Sequence, residues 1–206
     1  GYSTAAAAVA KTFGASMAQG LGSLEGKKVT VLAGTGPVGQ TAARIYASEK
    51  ADVTITSRSL SKGQVIAEKI NQECGATRVK VVEVIKPEQT ASAIKDAQII
   101  LAAGAGGIQL LTTADLNQAP NCKIVGDINA IKPLGVEGLG ENDDNKELKP
   151  GVLGIGALAI GKLKIKTEVE MIKRAVAEPQ GLFDYSIAYT IAKEQILKKL
   201  AKTATK

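Results

Sequence analysis

Short runs of β-branched and aliphatic residues alternate with helical stretches along most of the chain, and that alternation fixes the class of fold. The runs are Lys28–Ala33, Asp52–Ser57, Arg78–Val84, Gln98–Ala103, Lys123–Asp127 and Val152–Ile155. Pro37–Lys50 reads as a helix, with Pro37 in its first turn and Val38, Ala42, Ile45 and Tyr46 on one side. Leu60–Cys74 reads as the next, capped by Ser59 and ended by Gly75. A short helix opens at Pro87 and ends near Ala97. Asn129–Pro150 is rich in Gly, Pro and Asn and reads as loop; helices Lys162–Glu178 and Asp184–Ala201 finish the chain. Strands joined by crossover helices pair in parallel with right-handed connections. The expectation is α/β: a doubly wound parallel-sheet Rossmann fold with extra N- and C-terminal helices.

The first strand runs into Gly34-Thr35-Gly36-Pro37-Val38-Gly39, which fits G-x-G-x-x-G where a strand gives way to a helix. In that pattern Gly34 permits the tight turn, Gly36 lets backbone amides approach a pyrophosphate, and Gly39 lets helix and strand pack closely. The helix amino terminus then faces the anion with unpaired N–H groups. The end of the second strand selects the cofactor. An NAD-preferring site places Asp or Glu there, whereas this chain has Thr56-Ser57-Arg58-Ser59, and its nearby acid, Asp52, sits at the strand's other end. Arg58 can pair with a 2′-phosphate, Ser57 and Ser59 can donate to it, and Lys62 adds charge. The expected cofactor is therefore NADP, with NAD weaker; a solvated loop arginine is the competing reading of Arg58. Ala103-Gly104-Ala105, Asn129, Gly154 and Gly156 follow the fourth, fifth and sixth strands and are expected to touch the dinucleotide. Ordinary turn glycines and an Asx turn at Asn129 are the alternatives.

Composition narrows the chemistry further. The 206 residues include no histidine, which removes Ser-His-Asp and Cys-His nucleophiles, HExxH zinc sites and imidazole acid–base work; no metal site is expected. A net charge of +6 suits anionic partners, but the basic residues are scattered and aromatics are 3%, so nucleic acid is not expected. The lysine-rich end (Lys193, Lys198, Lys199, Lys202, Lys206) reads as a solvated helix face and tail. Cys74 and Cys122 form no CxxC and read as reduced thiols, no apolar run reaches the length of a membrane span, and alanine-rich Tyr2–Met17 lacks a signal peptide's charged start. A cytoplasmic protein with no membrane partner is expected.

The strings VLAGTGPVGQ (31–40), TSRSLSK (56–62), AAGAGGIQLL (102–111), GDINAIKPLG (126–135) and GIGALAIGKLKIK (154–166) occur in one order. Together they resemble the NAD(P)-dependent methylene-tetrahydromethanopterin dehydrogenases, relatives of the methylene-tetrahydrofolate dehydrogenases. The resemblance covers about Thr4 to Glu194. It implies a hydride transfer from a methylene-pterin to NADP that leaves the methenyl-pterin, with a reduced pterin as substrate and a homo-oligomeric assembly. It places a functional lysine in the GxLKxK segment, at Lys164, with Lys162 and Lys166 beside it. At strand or loop spacing those three lysines would share a face; a helix would splay them. It also implies that residues 1–26 are a connecting helix after an N-terminal domain expected to be absent, and that 27–206 form the NADP-binding domain. The exposed apolar surfaces are expected on the alanine-rich first helix and the final helices. Two other readings fit the glycine loop and Arg58: a Rossmann dehydrogenase of the shikimate dehydrogenase or glutamyl-tRNA reductase kind, and a non-catalytic NADP(H)-binding module.

Overall fold

A computed structural model describes residues 1–178 and 180–204; Lys206 of the lysine-rich end lies outside them. The elements run α1 (Tyr2–Ala18), β1 (Lys28–Leu32), α2 (Pro37–Ser48), β2 (Asp52–Ser57), α3 (Leu60–Cys74) and β3 (Val79–Glu83). A 3-10 turn, Pro87–Gln89, leads into α4 (Thr90–Ile94), followed by β4 (Ile99–Ala102), α5 (Thr113–Asn117) and β5 (Ile124–Asp127). Then come β6 (Asp144–Lys149), β7 (Val152–Ile155), α6 (Ala157–Ala177) and α7 (Tyr185–Ala204). The strands form one sheet in the order β3-β2-β1-β4-β5-β7-β6, parallel except for β6. β1 pairs with β2 on one side and β4 on the other, so the winding reverses between β1 and β4 and opens a crevice at their carboxyl ends. β1, β2, β4 and β5 are buried almost throughout because helices cover both faces, which is why β4 is wholly apolar and β1 and β2 mix aliphatic residues with buried threonines.

Three expectations need correction. The segment Asn129–Pro150 is not all loop. Asp144–Lys149 is an antiparallel edge strand with two register irregularities. Its sequence, DNKELK, is polar except for Leu148 because an edge strand packs little and is protected by charge. The helix expected from Lys162 begins five residues earlier, at Ala157, with Gly156 at its N-cap. The alanine-rich α1 is no exposed surface. Ala5–Ala10 are fully buried, and the helix packs on α2, α6, α7 and β5. A helix apolar all round belongs inside, and its small side chains permit close neighbours: a Cβ at Gly14 would lie 2.7 Å from Ile196 Cγ2. An exposed apolar face lies, as expected, on one of the final helices: α6 carries it at Leu158, Ile165, Val169, Ile172 and Val176.

Lys193 also differs from the solvated lysine expected. Its ammonium bonds Glu49, the C-cap of α2, at 2.6 and 2.8 Å and sits over the rings of Phe13 and Tyr189. Lys11 of α1 bonds both carboxylate oxygens of Asp144 at 2.8 Å, tying α1 to the edge strand. Burial would raise the Asp144 carboxyl, but Lys11, with Lys199 behind it, holds it below its ordinary value. That stabilisation is complete above the unfolded carboxylate value, near 4, and is lost as pH falls through the depressed folded value. Asp144→Asn is expected to cost about 2 kcal/mol at neutral pH, less than a fully buried pair because Asp144 is partly exposed. Urea titrations from pH 7 down to 3 should show the variant losing less stability than the parent; parallel curves would exclude the pair as a source of acid sensitivity.

Candidate functional site

The crevice between β1 and β4 opens into a groove of about 480 Å³, within the range of small-ligand sites. One wall is the glycine loop, contributing Ala33, Thr35, Gly36, Pro37 and Val38. Its left-handed residue is Ala33, with φ 54°, the residue before the first glycine of the motif. Gly34 is glycine for another reason: a Cβ there would lie 2.6 Å from the Ile55 Cβ. Gly39 does what its place in the pattern demands, since a Cβ would meet the Gly34 Cα at 2.7 Å. Thr56 pins the loop to β2: its hydroxyl accepts from Ala33 N at 2.9 Å and its carbonyl from Gly34 N at 3.0 Å. α2 starts at Pro37 with Gly36 as N-cap and no side-chain cap, leaving its positive dipole end directed at the groove.

Ser57, Arg58 and Lys62 line the groove at the end of β2. Arg58 and Lys62 are exposed, and neither has a carboxylate partner among the described residues. Ser57 Oγ donates to Ser59 O at 2.7 Å and accepts from Ser59 N, shaping the turn that presents Arg58. Ser59 caps α3 by accepting from Lys62 N, and it is not part of the groove lining. Ala103, Gly104 and Ala105 form the opposite side with Ile128.

Composition and motif did not reveal the apolar remainder of the wall, Leu32, Val84, Ile108 and Leu110, or the Thr90 beside it. Leu110 reaches the groove because its loop is hung on Gly135, whose carbonyl accepts from both Leu110 N and Leu111 N. That arrangement rests in turn on Asp127, buried at the end of β5. Its carboxylate accepts from Asn129 N at 2.9 Å and Val136 N at 3.1 Å, with Gly135 N also bonded to it. Burial pushes this carboxyl up while the three amides oppose the rise.

Several candidate residues lie elsewhere. The Asn129 side chain is spent on its own loop, donating to Pro133 O and accepting from Ile131 N, an Asx-type turn. Gly154 is small because a Cβ would lie 2.5 Å from Leu139 Cδ1, and Gly156 because the backbone at Gly140 and Glu141 passes against it. Lys162, Lys164 and Lys166 are on α6 and are splayed rather than aligned. Lys162 and Lys166 are exposed, whereas Lys164 is half-buried, 3.6 Å from Glu168 Oε1. Ser3 Oγ donates to the same oxygen at 2.6 Å. Glu168 faces a second concavity of about 590 Å³, bounded also by Ser3, Met171 and Ile172, which meets the groove at Pro37. Another hollow, of about 390 Å³, lies at the opposite, amino ends of β1–β3, where no glycine loop or helix start faces it.

A doubly wound sheet with a glycine loop, an uncapped helix start and a groove at the switch point defines a Rossmann-type nucleotide-binding domain. Residues 15–131 match the family model described as shikimate / quinate 5-dehydrogenase. The chain belongs to that family, and two curated relatives bear out its resemblance to the methylenetetrahydromethanopterin dehydrogenases. Both come from Methylorubrum extorquens. One, named bifunctional protein MdtA, is 38% identical over 84% of this chain and 59% of its own length. The other, named NAD(P)-dependent methylenetetrahydromethanopterin dehydrogenase, is 34% identical over 94% of this chain and 66% of its own. The chain thus spans about three-fifths to two-thirds of these relatives. Among solved structures it is similar in fold to a transhydrogenase from Sinorhizobium meliloti, with a TM-score of 0.57 and 16% identity over 95% of this chain and 54% of that one. It is also similar to quinate dehydrogenase from Corynebacterium glutamicum in complex with NAD, with a TM-score of 0.53 and 17% identity over 89% and 61%.

Proposed function

We propose that this chain is the cofactor-binding part of an NADP-dependent oxidoreductase that transfers a hydride between a methylene-pterin, on tetrahydromethanopterin or tetrahydrofolate, and the nicotinamide. The observation that carries the NADP reading is the pair Arg58 and Lys62, cations without carboxylate partners at the end of a second strand that lacks the usual acid. In this reading the amides of Thr35 and Val38 receive the pyrophosphate, Arg58 and Lys62 the 2′-phosphate, and Val84, Ile108 and Leu110 exclude water around the adenosine. The bound nicotinamide supplies the hydride chemistry, and the protein supplies position and charge. Lys164, steadied by Glu168, contributes a positive charge on the substrate side, where the second concavity meets the groove at Pro37. Residues 27–206 carry the cofactor, and residues 1–26, which include α1 (Tyr2–Ala18), lead into them. The pterin assignment is supported by the relatives' names; the apolar stripe on α6 supports a homo-oligomer, and the free thiols of Cys74 and Cys122 support a cytoplasmic setting.

The family model's own description favours a second reading, a dehydrogenase acting on a shikimate-type alcohol. Absorbance at 340 nm separates the two: the complete gene product should reduce NADP with a methylene-pterin and not with shikimate or quinate, and the reverse pattern overturns the pterin assignment. The cofactor assignment has its own test. The chain has no tryptophan, so NADPH fluorescence can be titrated against little protein background. Arg58→Ala is expected to raise the Kd for NADPH about 10- to 30-fold, the weight of a charge-assisted hydrogen-bonded pair, and to change that for NADH less than twofold. An equal effect on both would remove Arg58 from 2′-phosphate recognition.

A further inference from the structure

The turn that presents Arg58 is held by an acid from the neighbouring strand. Glu83 is the last residue of β3 and the register partner of Ser57, the last residue of β2. Val84 N donates to Ser57 O at 2.8 Å, so the two strand ends stay paired to their tips. From there the Glu83 carboxylate reaches across the turn and accepts from Leu60 N at 2.9 Å, occupying the first amide of α3. The residues between these two anchors are Arg58 and Ser59. Glu83 is half-buried and makes no ion pair among the described residues, so its charge is not cancelled by Arg58 or Lys62.

We propose that Glu83 sets the discrimination between the two nicotinamide dinucleotides by holding a negative charge against the 2′-position. The inference rests on the reading that Arg58 and Lys62 face that position. NADP brings a dianionic phosphate there and NAD a neutral hydroxyl. A fixed carboxylate beside the same turn opposes only the former, so it trims the advantage the two cations confer. Selectivity is a difference of affinities, and a like charge placed against one ligand lowers it without a new contact to the other. The second strand alone, with its arginine and no acid, would therefore overstate the preference for NADP.

Glu83→Gln separates the two things the side chain does, because the amide oxygen can still accept from Leu60 N while the charge is gone. Fluorescence titration of NADPH and NADH should show the ratio Kd(NADH)/Kd(NADPH) rising at least fivefold, through tighter NADPH, with NADH within twofold. The gain should shrink in 0.5 M salt, which screens it. Glu83→Asp keeps the charge and shortens the reach to Leu60, and should leave the ratio near that of the parent. The proposal fails if the Gln variant leaves the ratio within twofold, if it weakens both dinucleotides alike, or if the Asp variant shifts the ratio as the Gln variant does. If the parent binds neither dinucleotide, the underlying reading of the groove fails with it; if the parent binds both and only the ratio is unmoved, the role of Glu83 alone is lost.

Discussion

Gly39→Val is expected to abolish NADPH binding and to lower stability by about 3 kcal/mol, the upper end for an overpacked site. A Cβ at this position would lie 2.7 Å from the Gly34 Cα, 2.9 Å from the Ala33 carbonyl oxygen and 3.0 Å from the Gly34 carbonyl carbon. Every one of these is a backbone atom, so no side chain can rotate out of the way. The turn cannot yield either. Ala33 already holds a left-handed φ of 54°, and Thr56 grips both it and Gly34. The remaining escape is for α2 to back away from the end of β1, and that carries its uncapped amino terminus out of the groove. Gly36 makes the contrast. A Cβ there approaches nothing nearer than the Ala33 carbonyl oxygen at 3.6 Å, so Gly36→Ala should melt like the parent even where it weakens the approach of a pyrophosphate. Thermal melts and NADPH titrations of the two variants give the answer. A Gly39→Val protein with a Kd within threefold of the parent would show that the helix start does not hold the anion.

The contrast between these glycines marks how far a sequence can be read. The motif identified where the loop lies and why Gly39 is small, because that spacing is set by the packing of one helix on the strand before it. It did not show that Ala33 takes the left-handed φ, or that Gly34 is small because Ile55 of the neighbouring strand lies against it. The buried strands were legible because burial on both faces favours short runs of aliphatic and β-branched residues, as in β1, β2 and β4. β6 was not, because an edge strand satisfies one side of its backbone and exposes its side chains, leaving a string indistinguishable from loop. Arg58 and Lys62 could be placed at the groove from their distance to the glycines, whereas Glu83, some 25 residues further on, could be placed only once β2 and β3 were in register. Asn129 and Gly156 follow strand ends, as expected, whereas Gly154 lies inside β7, and the side chain or close contacts of each serve its own loop and sheet. Strand topology says which loops surround a crevice, but not which atoms of those loops turn inward.

Asp127 tests that last point most severely, since it touches the groove only through the chain it holds. Asp127→Ala is expected to destabilise the protein by about 4 kcal/mol, because three buried amides lose a charged acceptor at once and each orphan costs about 1–3 kcal/mol before water relieves part of it. In a chain of this size that is a fall in Tm of about 10 °C. Asp127→Asn should fare little better. Its amide group has one acceptor oxygen for three donors and would bring N–H groups against the amides of Asn129, Gly135 or Val136. The binding consequence follows the same connections. Gly135 carries Leu110 and Leu111 through its carbonyl, and Ile131 of the same loop packs over Gly106. Loosening the loop therefore frees the Ile108–Leu110 wall, and NADPH should bind at least tenfold more weakly even at temperatures where the variant is fully folded. Calorimetric melting together with titration at 10 °C separates the two effects. A variant that melts within 3 °C of the parent would mean that the three amides find other acceptors. One that melts early but binds normally when cold would mean that the groove wall stands without Asp127.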